Sequence, residues 1–153
     1  IFNDTIKEWF ATTVGNMNRN KLFQAIWNAD VATITEQMTK ILIRTISYYD
    51  YREDFYHAFL AGIFAGAGYE VESNREHGEG RSDIIIYAPA DGKAAVFEAK
   101  YSKRPERMQE DCAAAVQQID ERMYASDLED RCDEVFCYGI SFYKKRCVIK
   151  KKE

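Results

Sequence analysis

The stretch GRSDIIIYAPADGKAAVFEAKY, Gly80 to Tyr101, consists of two apolar runs on either side of an Asp-Gly pair. Two-residue Asp-Gly loops favour a type I′ turn, because both central positions need positive φ and the twist of the turn matches that of the flanking strands. With Asp91-Gly92 as that loop, Ala90 pairs with Lys93, and the ladder sets Ile86 opposite Phe97, Ile84 opposite Ala99 and Asp83 opposite Lys100. Side chains alternate across a strand and paired residues share a face. One face therefore carries Ile84, Ile86, Ala88, Ala95, Phe97 and Ala99, all apolar, and is the core side. The other carries Asp83, Ile85, Tyr87, Val96, Glu98 and Lys100, with its charges bunched at the end away from the turn. Opposed Cβ atoms lie roughly 5 Å apart and diagonal ones about 7 to 8 Å, so both carboxylates reach a shared cation.

Taken from the residues alone, these charges fit two arrangements. One is a solvated strand face on which they form cross-strand ion pairs. The other is a site for metal-dependent phosphodiester chemistry. The second draws support from the register-matched Asp83, from Gly80-Arg81 before it, and from polar groups set into otherwise apolar strands. Asp91-Gly92-Lys93 repeats the Asp-x-Lys spacing but sits in the turn, where it is incidental.

Asp83, a hairpin and then Glu98-Ala99-Lys100 resemble the PD-(D/E)XK nuclease superfamily, with Ser82 in place of the proline and 14 residues between Asp83 and Glu98. The run Glu53-Asp54-Phe55-Tyr56-His57-Ala58-Phe59-Leu60, then Ser73-Asn74-Arg75-Glu76, Gly80-Arg81-Ser82-Asp83 and Phe97-Glu98-Ala99-Lys100, is similar to a bacterial branch that carries this domain behind an AAA-type ATPase-like domain. The resemblance covers about residues 45 to 150. It implies a restriction-endonuclease-like α/β fold, an αβββαβ core with a mixed central sheet flanked by helices. It also implies a divalent-metal-dependent nuclease acting on phosphodiester bonds, with DNA the favoured nucleic acid.

Such a reaction needs an activated water and neutralised charge on the phosphoryl oxygens and leaving group, both of which a hard divalent ion supplies. Asp83 and Glu98 suit Mg²⁺ or Mn²⁺, and by the resemblance the main-chain carbonyl of Ala99 is a third ligand. Lys100 positions the attacking water or stabilises the pentacovalent charge; service as a base needs a pKa near the working pH. Glu53 stands four residues before His57 on the preceding helix, on the same face, and in the resembled family a glutamate here completes the metal site. His57, Arg75, Arg81, Lys103 and Gln118 are candidate nucleic-acid contacts. The superfamily often follows its glutamine with a tyrosine four residues later, whereas Tyr124 is six beyond Gln118. Two other classes remain: a catalytically silent nuclease-like module that binds nucleic acid or a partner protein, and an interaction module whose hairpin charges are ion pairs.

The 153 residues, nearly half of them hydrophobic, suffice for one compact core. No apolar run approaches the roughly 20 residues of a membrane span, and no signal peptide opens the chain, so no membrane partner is expected and the expected location is the cytoplasm. A first residue of Ile1 reads as a fragment of something longer. The net charge of −4 argues against an extended nucleic-acid surface and confines phosphate contacts to local patches, among them Lys100 to Arg107 and Lys144 to Lys152. Four cysteines without C-x-x-C spacing point to a reducing compartment. With only His57 and His77, a structural zinc site is not expected.

Residues 1–50 read as an N-terminal helical segment packed on the core, and 51–153 as the nuclease-like domain. Asp4 caps a helix bearing Ile6, Trp9, Phe10 and Val14, and Leu22, Ala25, Ile26 and Trp27 mark another. Thr33-Ile34-Thr35-Glu36 matches a capping box that opens a helix with Ile34, Met38, Ile41, Leu42 and Ile46 at helical spacing. A helix over 52–65 ends at Gly66 and Gly68, and a strand over 69–74, the hairpin, a helix over 105–128 and strands over 134–142 and 146–150 follow. The stripe Met108, Cys112, Ala115, Ile119 and Met123 packs that last helix.

Overall fold

The computed structural model of the protein describes residues 19–45, 53–76, 81–122 and 130–152. Helices α1 (Arg19–Trp27), α2 (Val31–Thr45) and α3 (Glu53–Gly66) precede strands β1 (Glu70–Glu76), β2 (Arg81–Ala88) and β3 (Lys93–Tyr101). Helix α4 (Met108–Arg122) then leads to β4 (Glu134–Tyr143) and β5 (Arg146–Lys151). The strands lie side by side in chain order. Every neighbouring pair is antiparallel except β3 and β4, which run parallel. A parallel pair needs a crossover connection, and α4 supplies it. The αβββαβ order and the mixed sheet flanked by helices are the restriction-endonuclease-like arrangement that the resemblance implies. No described helix is long and apolar enough to cross a membrane.

Both faces of the sheet are buried. On one, Ile84, Ile86, Phe97, Tyr138, Ile140 and Phe142 pack against Leu22 and Ile26 of α1, Ile34, Met38 and Leu42 of α2, and Phe59, Ile63 and Phe64 of α3. On the other, Ile85, Ala94, Val96 and Cys137 pack against Ile119 of α4. Of the stripe expected on α4, Met108, Cys112, Ala115 and Ile119 are buried, whereas Met123 lies outside the described residues.

The local signals explain where the elements begin and end. Helix α2 is capped by Asp30 and not by Thr33: the Thr33 amide and hydroxyl both donate to the Asp30 carboxylate, at 3.2 and 2.6 Å. The Thr33–Glu36 pattern has the capping-box spacing, but the helix already starts at Val31, and Glu36 pairs with Lys40 one turn on, at 3.1 Å. At the end of α3, the Tyr69 amide reaches the Phe64 carbonyl and the Gly68 amide the Ala65 carbonyl. Gly68 there has a φ of +90°, which is the Schellman arrangement that a glycine just past a helix makes easy.

The hairpin corrects the expected turn. Pro89–Asp91 form a 3₁₀ turn closed by Gly92 at φ 64°, ψ 30°, and the flanking pair is Ala88 with Lys93. Proline at position 89 starts that turn with its fixed φ, so four residues rather than two join the strands. The register accordingly moves by two: Ile86 faces Ala95, Ile84 faces Phe97 and Asp83 faces Glu98. An even shift leaves every side chain on its expected face. The helix expected over 105–128 opens with a 3₁₀ turn, Pro105–Arg107, and becomes α-helical at Met108. The helix expected from Asp4, and the positions of Ile46, His77 and Tyr124, lie outside the described residues.

Candidate active site

Asp83 and Glu98 are Cα partners on adjacent antiparallel strands. Alternation along β2 and β3 turns both toward α4, together with Ile85 and Val96. Their exposures are 2 % and 0 %, and Asp83 Oδ2 and Glu98 Oε2 each expose less than 1 Å². They are therefore not charges on a wet strand face. Like charges directly opposite one another are destabilising, and a low dielectric enlarges the repulsion. Lys100, half-buried and next on the same face of β3, brings one positive charge to the pair. The β2–β3 ladder ends at Ser82 and Ala99, so the Ala99 main chain stands at its margin beside Glu98.

Helix α4 closes over this face because β4 offers it no side chain at one point. Glu98 pairs with Gly139 in the parallel ladder, and Lys100 with Ser141. A Cβ on Gly139 would lie 2.8 Å from the Cys112 carbonyl oxygen and 2.9 Å from the Val116 nitrogen, so the main chain of α4 rests on this glycine. The Cys112 thiol donates to the Gly139 carbonyl at 3.3 Å, and burial pushes that thiol up to about 11. Ser141, fully buried, donates to the Met108 carbonyl at 2.8 Å. Gly139 and Ser141 were not singled out from the sequence, although a lone glycine inside an apolar strand is a signal of close backbone approach.

The remaining candidates are spread around this pair. Gln118 is half-buried on α4. It shares a flank with Asp111, seven residues earlier, and Asp111 accepts a 2.6 Å bond from Ser102 just beyond β3. The opposite flank meets β5, where Lys150 Nζ donates to the Gln109 carbonyl. The flank of Gln118 therefore faces the carboxylate strands. Lys103 is exposed in the segment leaving β3. Helix α3 packs on the opposite face of the sheet through Phe55, Phe59, Ile63 and Phe64, so His57, half-buried on it, is not brought beside the carboxylates by a shared face. Its first turn does lie at the same end of the sheet, because Tyr56 stacks on Phe142 at 4.8 Å and on Tyr101 at 5.8 Å. Glu53 opens α3, and Arg75 and Arg81 lie in β1 and β2; the side chains of these three are outside the described part of the structure.

Among the described residues no three His, Cys, Asp or Glu side chains converge as a metal-binding group. Two carboxylates suffice for Mg²⁺, which is held by one or two of them and keeps water and phosphate in its other positions. The donor set, all oxygen with the nearby lysine outside it, fits a hard divalent cation.

A sequence profile of the PD-(D/E)XK nuclease superfamily matches residues 51–152. No curated protein and no solved structure gives a match to the chain. The matched segment contains α3, the whole sheet and α4, with the buried Asp83–Glu98 pair and Lys100 at its centre, and the chain belongs to the PD-(D/E)XK nuclease superfamily.

Proposed function

We propose that this protein is a divalent-metal-dependent nuclease that hydrolyses phosphodiester bonds, with DNA the favoured substrate. The observation that carries this reading is the pairing of β2 and β3, which opposes Asp83 to Glu98 and sets Lys100 next on the same face, with both carboxylates buried under α4. Asp83, Glu98 and the Ala99 carbonyl hold Mg²⁺ or Mn²⁺, which when bound supplies charge neutralisation and an acidified water. Glu53 joins from the first turn of α3, around the end of the sheet. Lys100 orients the attacking water and stabilises charge on the phosphoryl oxygens. His57, Arg75, Arg81, Lys103 and Gln118 contact the nucleic acid.

The division into a 1–50 N-terminal segment and a 51–153 nuclease domain is supported, over the described residues 19–45, by the core that α1 and α2 share with the sheet. The resemblance of its motifs to the ATPase-fused branch supports an AAA-type ATPase-like domain as a partner, with the cytoplasm as the place of action.

Cleavage of labelled duplex DNA, single-stranded DNA and RNA with Mg²⁺, Mn²⁺ or EDTA tests this. Metal-dependent cutting is expected, and Lys100→Ala should slow it about 100-fold or more while leaving Mn²⁺ affinity nearly intact. Equal rates for Lys100→Ala and the parent, or no cutting of any nucleic acid, would overturn the reading in favour of a silent binding module.

A further inference from the structure

The sheet end nearest the carboxylates carries cations outside the proposed catalytic set, exposed at Lys103, Arg104, Lys144 and Arg146 and half-buried at Lys145. Lys103 and Arg104 lie where the chain leaves β3 for α4, and Lys144 and Lys145 form the two-residue tip between β4 and β5, followed by Arg146. Among the described residues, no carboxylate pairs with Lys144, Lys145 or Arg146, while Glu110 and Asp111 are engaged by Arg107. Lys144 stands over the Tyr143 ring, its Nζ 5.3 Å from the centroid. In a chain of net charge −4, this is a local concentration of positive charge.

The tip is also held in place. Lys144 has a φ of 51°, the left-handed region that hairpin tips usually fill with glycine or asparagine. The Tyr56 hydroxyl donates to the Lys144 carbonyl at 2.8 Å, and the Tyr56 ring stacks on Tyr101, the residue after Lys100. Two lysines are thus presented on a fixed backbone, tied to the strand that carries the catalytic candidates. Holding a binding group in place beforehand lowers the ordering cost of contact.

We propose that the Lys144–Lys145 tip is a non-catalytic contact for the phosphate backbone of the nucleic-acid substrate, gripping it at a distance from the scissile phosphate. The proposal rests on the nuclease reading of the Asp83–Glu98 site. Glu98 pairs with Gly139, and the tip begins five residues further along β4. At about 3.3 Å per residue and 4.8 Å between strands, it stands about 17 Å from Glu98. That is the rise of about five base pairs. The grip therefore requires substrate to extend beyond the cut.

The test compares Lys144→Gln/Lys145→Gln with a charge-matched control, Lys21→Gln/Lys40→Gln, on α1 and α2. Fluorescence anisotropy in EDTA on a 20-base-pair duplex reads binding without cleavage. The tip variant should bind about 10-fold more weakly than the control, and the slope of log K against log salt should shrink by roughly 1.8. With metal, its KM should rise on substrates extending eight or more nucleotides past the cut, with kcat unchanged, and should match the parent when the extension is under three. Lys145→Glu alone, at a residue with ordinary φ, repeats the measurement should the double variant melt early. Affinity and salt slope equal to the control would overturn the proposal. A parent that never cuts but binds tip-dependently sinks the nuclease reading and leaves the contact standing.

Discussion

The face of the sheet toward α1, α2 and α3 and the face toward α4 are drawn from the same strands but filled differently. The first is built from large rings in contact: Phe64 on Phe97 at 5.2 Å, and Phe97 on Tyr138 at 5.0 Å and 20°. The second holds Ala94, Val96, Cys137 and Gly139, and then the buried polar groups Asp83, Glu98 and Ser141. Small residues let the α4 backbone come down onto the sheet, which seals the carboxylates from water without surrounding them with bulky apolar side chains. Stability should therefore depend mainly on the first face and chemistry on the second.

The sharpest way to break that division is to put a carboxylate on each side. Phe97→Asp removes a buried ring worth about 3 to 5 kcal/mol and adds a charge with no built partner, costing several more. Against a typical total of about 5 to 15 kcal/mol, the domain should be unfolded at 25 °C by circular dichroism. Asp83→Asn and Glu98→Gln, which each remove one of two opposed like charges, should change unfolding free energy by less than about 1.5 kcal/mol without metal. Calorimetry should nonetheless show Mn²⁺ binding lost in both. Destabilisation of Glu98→Gln on the scale of Phe97→Asp would dissolve the contrast.

Gly139→Ala addresses the contact that makes the second face thin. The new methyl meets main-chain atoms of α4 that cannot rotate away, so the helix must lift or shift, at about 1 to 3 kcal/mol. A denaturant midpoint equal to the parent's would mean that α4 is not seated on β4 as described. Because Gly139 is the ladder partner of Glu98, Mn²⁺ affinity should fall with the midpoint.

Much of this division was readable in the chain. The alternation of Ile84, Ile86, Phe97 and Ala99 against Asp83, Glu98 and Lys100 assigned the faces correctly even though the turn was misplaced, because Pro89 lengthened the loop by two residues and an even slip preserves faces. Which residue opposes Asp83 was lost in that slip; that partner depends on the turn and not on the pattern. Likewise, Thr33 and Asp30 both offer a side-chain oxygen to a helix start, and only the position of the first turn chooses between them. The burial of Glu98 was not legible at all, because it comes from a helix whose approach is set by a glycine on a third strand, some forty positions away.

The smallest effect concerns two helix ends on the ring-filled side. At the end of α1 the Asp30 amide reaches the Ala25 carbonyl at 2.9 Å and the Ala29 amide the Ile26 carbonyl at 3.4 Å, the same pattern that ends α3. Where α3 has Gly68 at φ 90°, α1 has Ala29 at φ 57°. A side chain in that region costs about 1 to 2 kcal/mol, offset in part by the extra freedom glycine has when unfolded, about 0.5 to 1 kcal/mol. Ala29→Gly should therefore stabilise the domain by roughly 0.5 to 1 kcal/mol. Gly68→Ala should destabilise it by about 1 kcal/mol through backbone conformation alone, since no atom lies within 4 Å of the added Cβ. Both shifts are read from denaturant midpoints. Neither substitution touches α4 or the carboxylates, so Mn²⁺ affinity and cleavage rate should stay at the parent's values, and a change in either alongside the midpoint would show that the two faces are coupled after all.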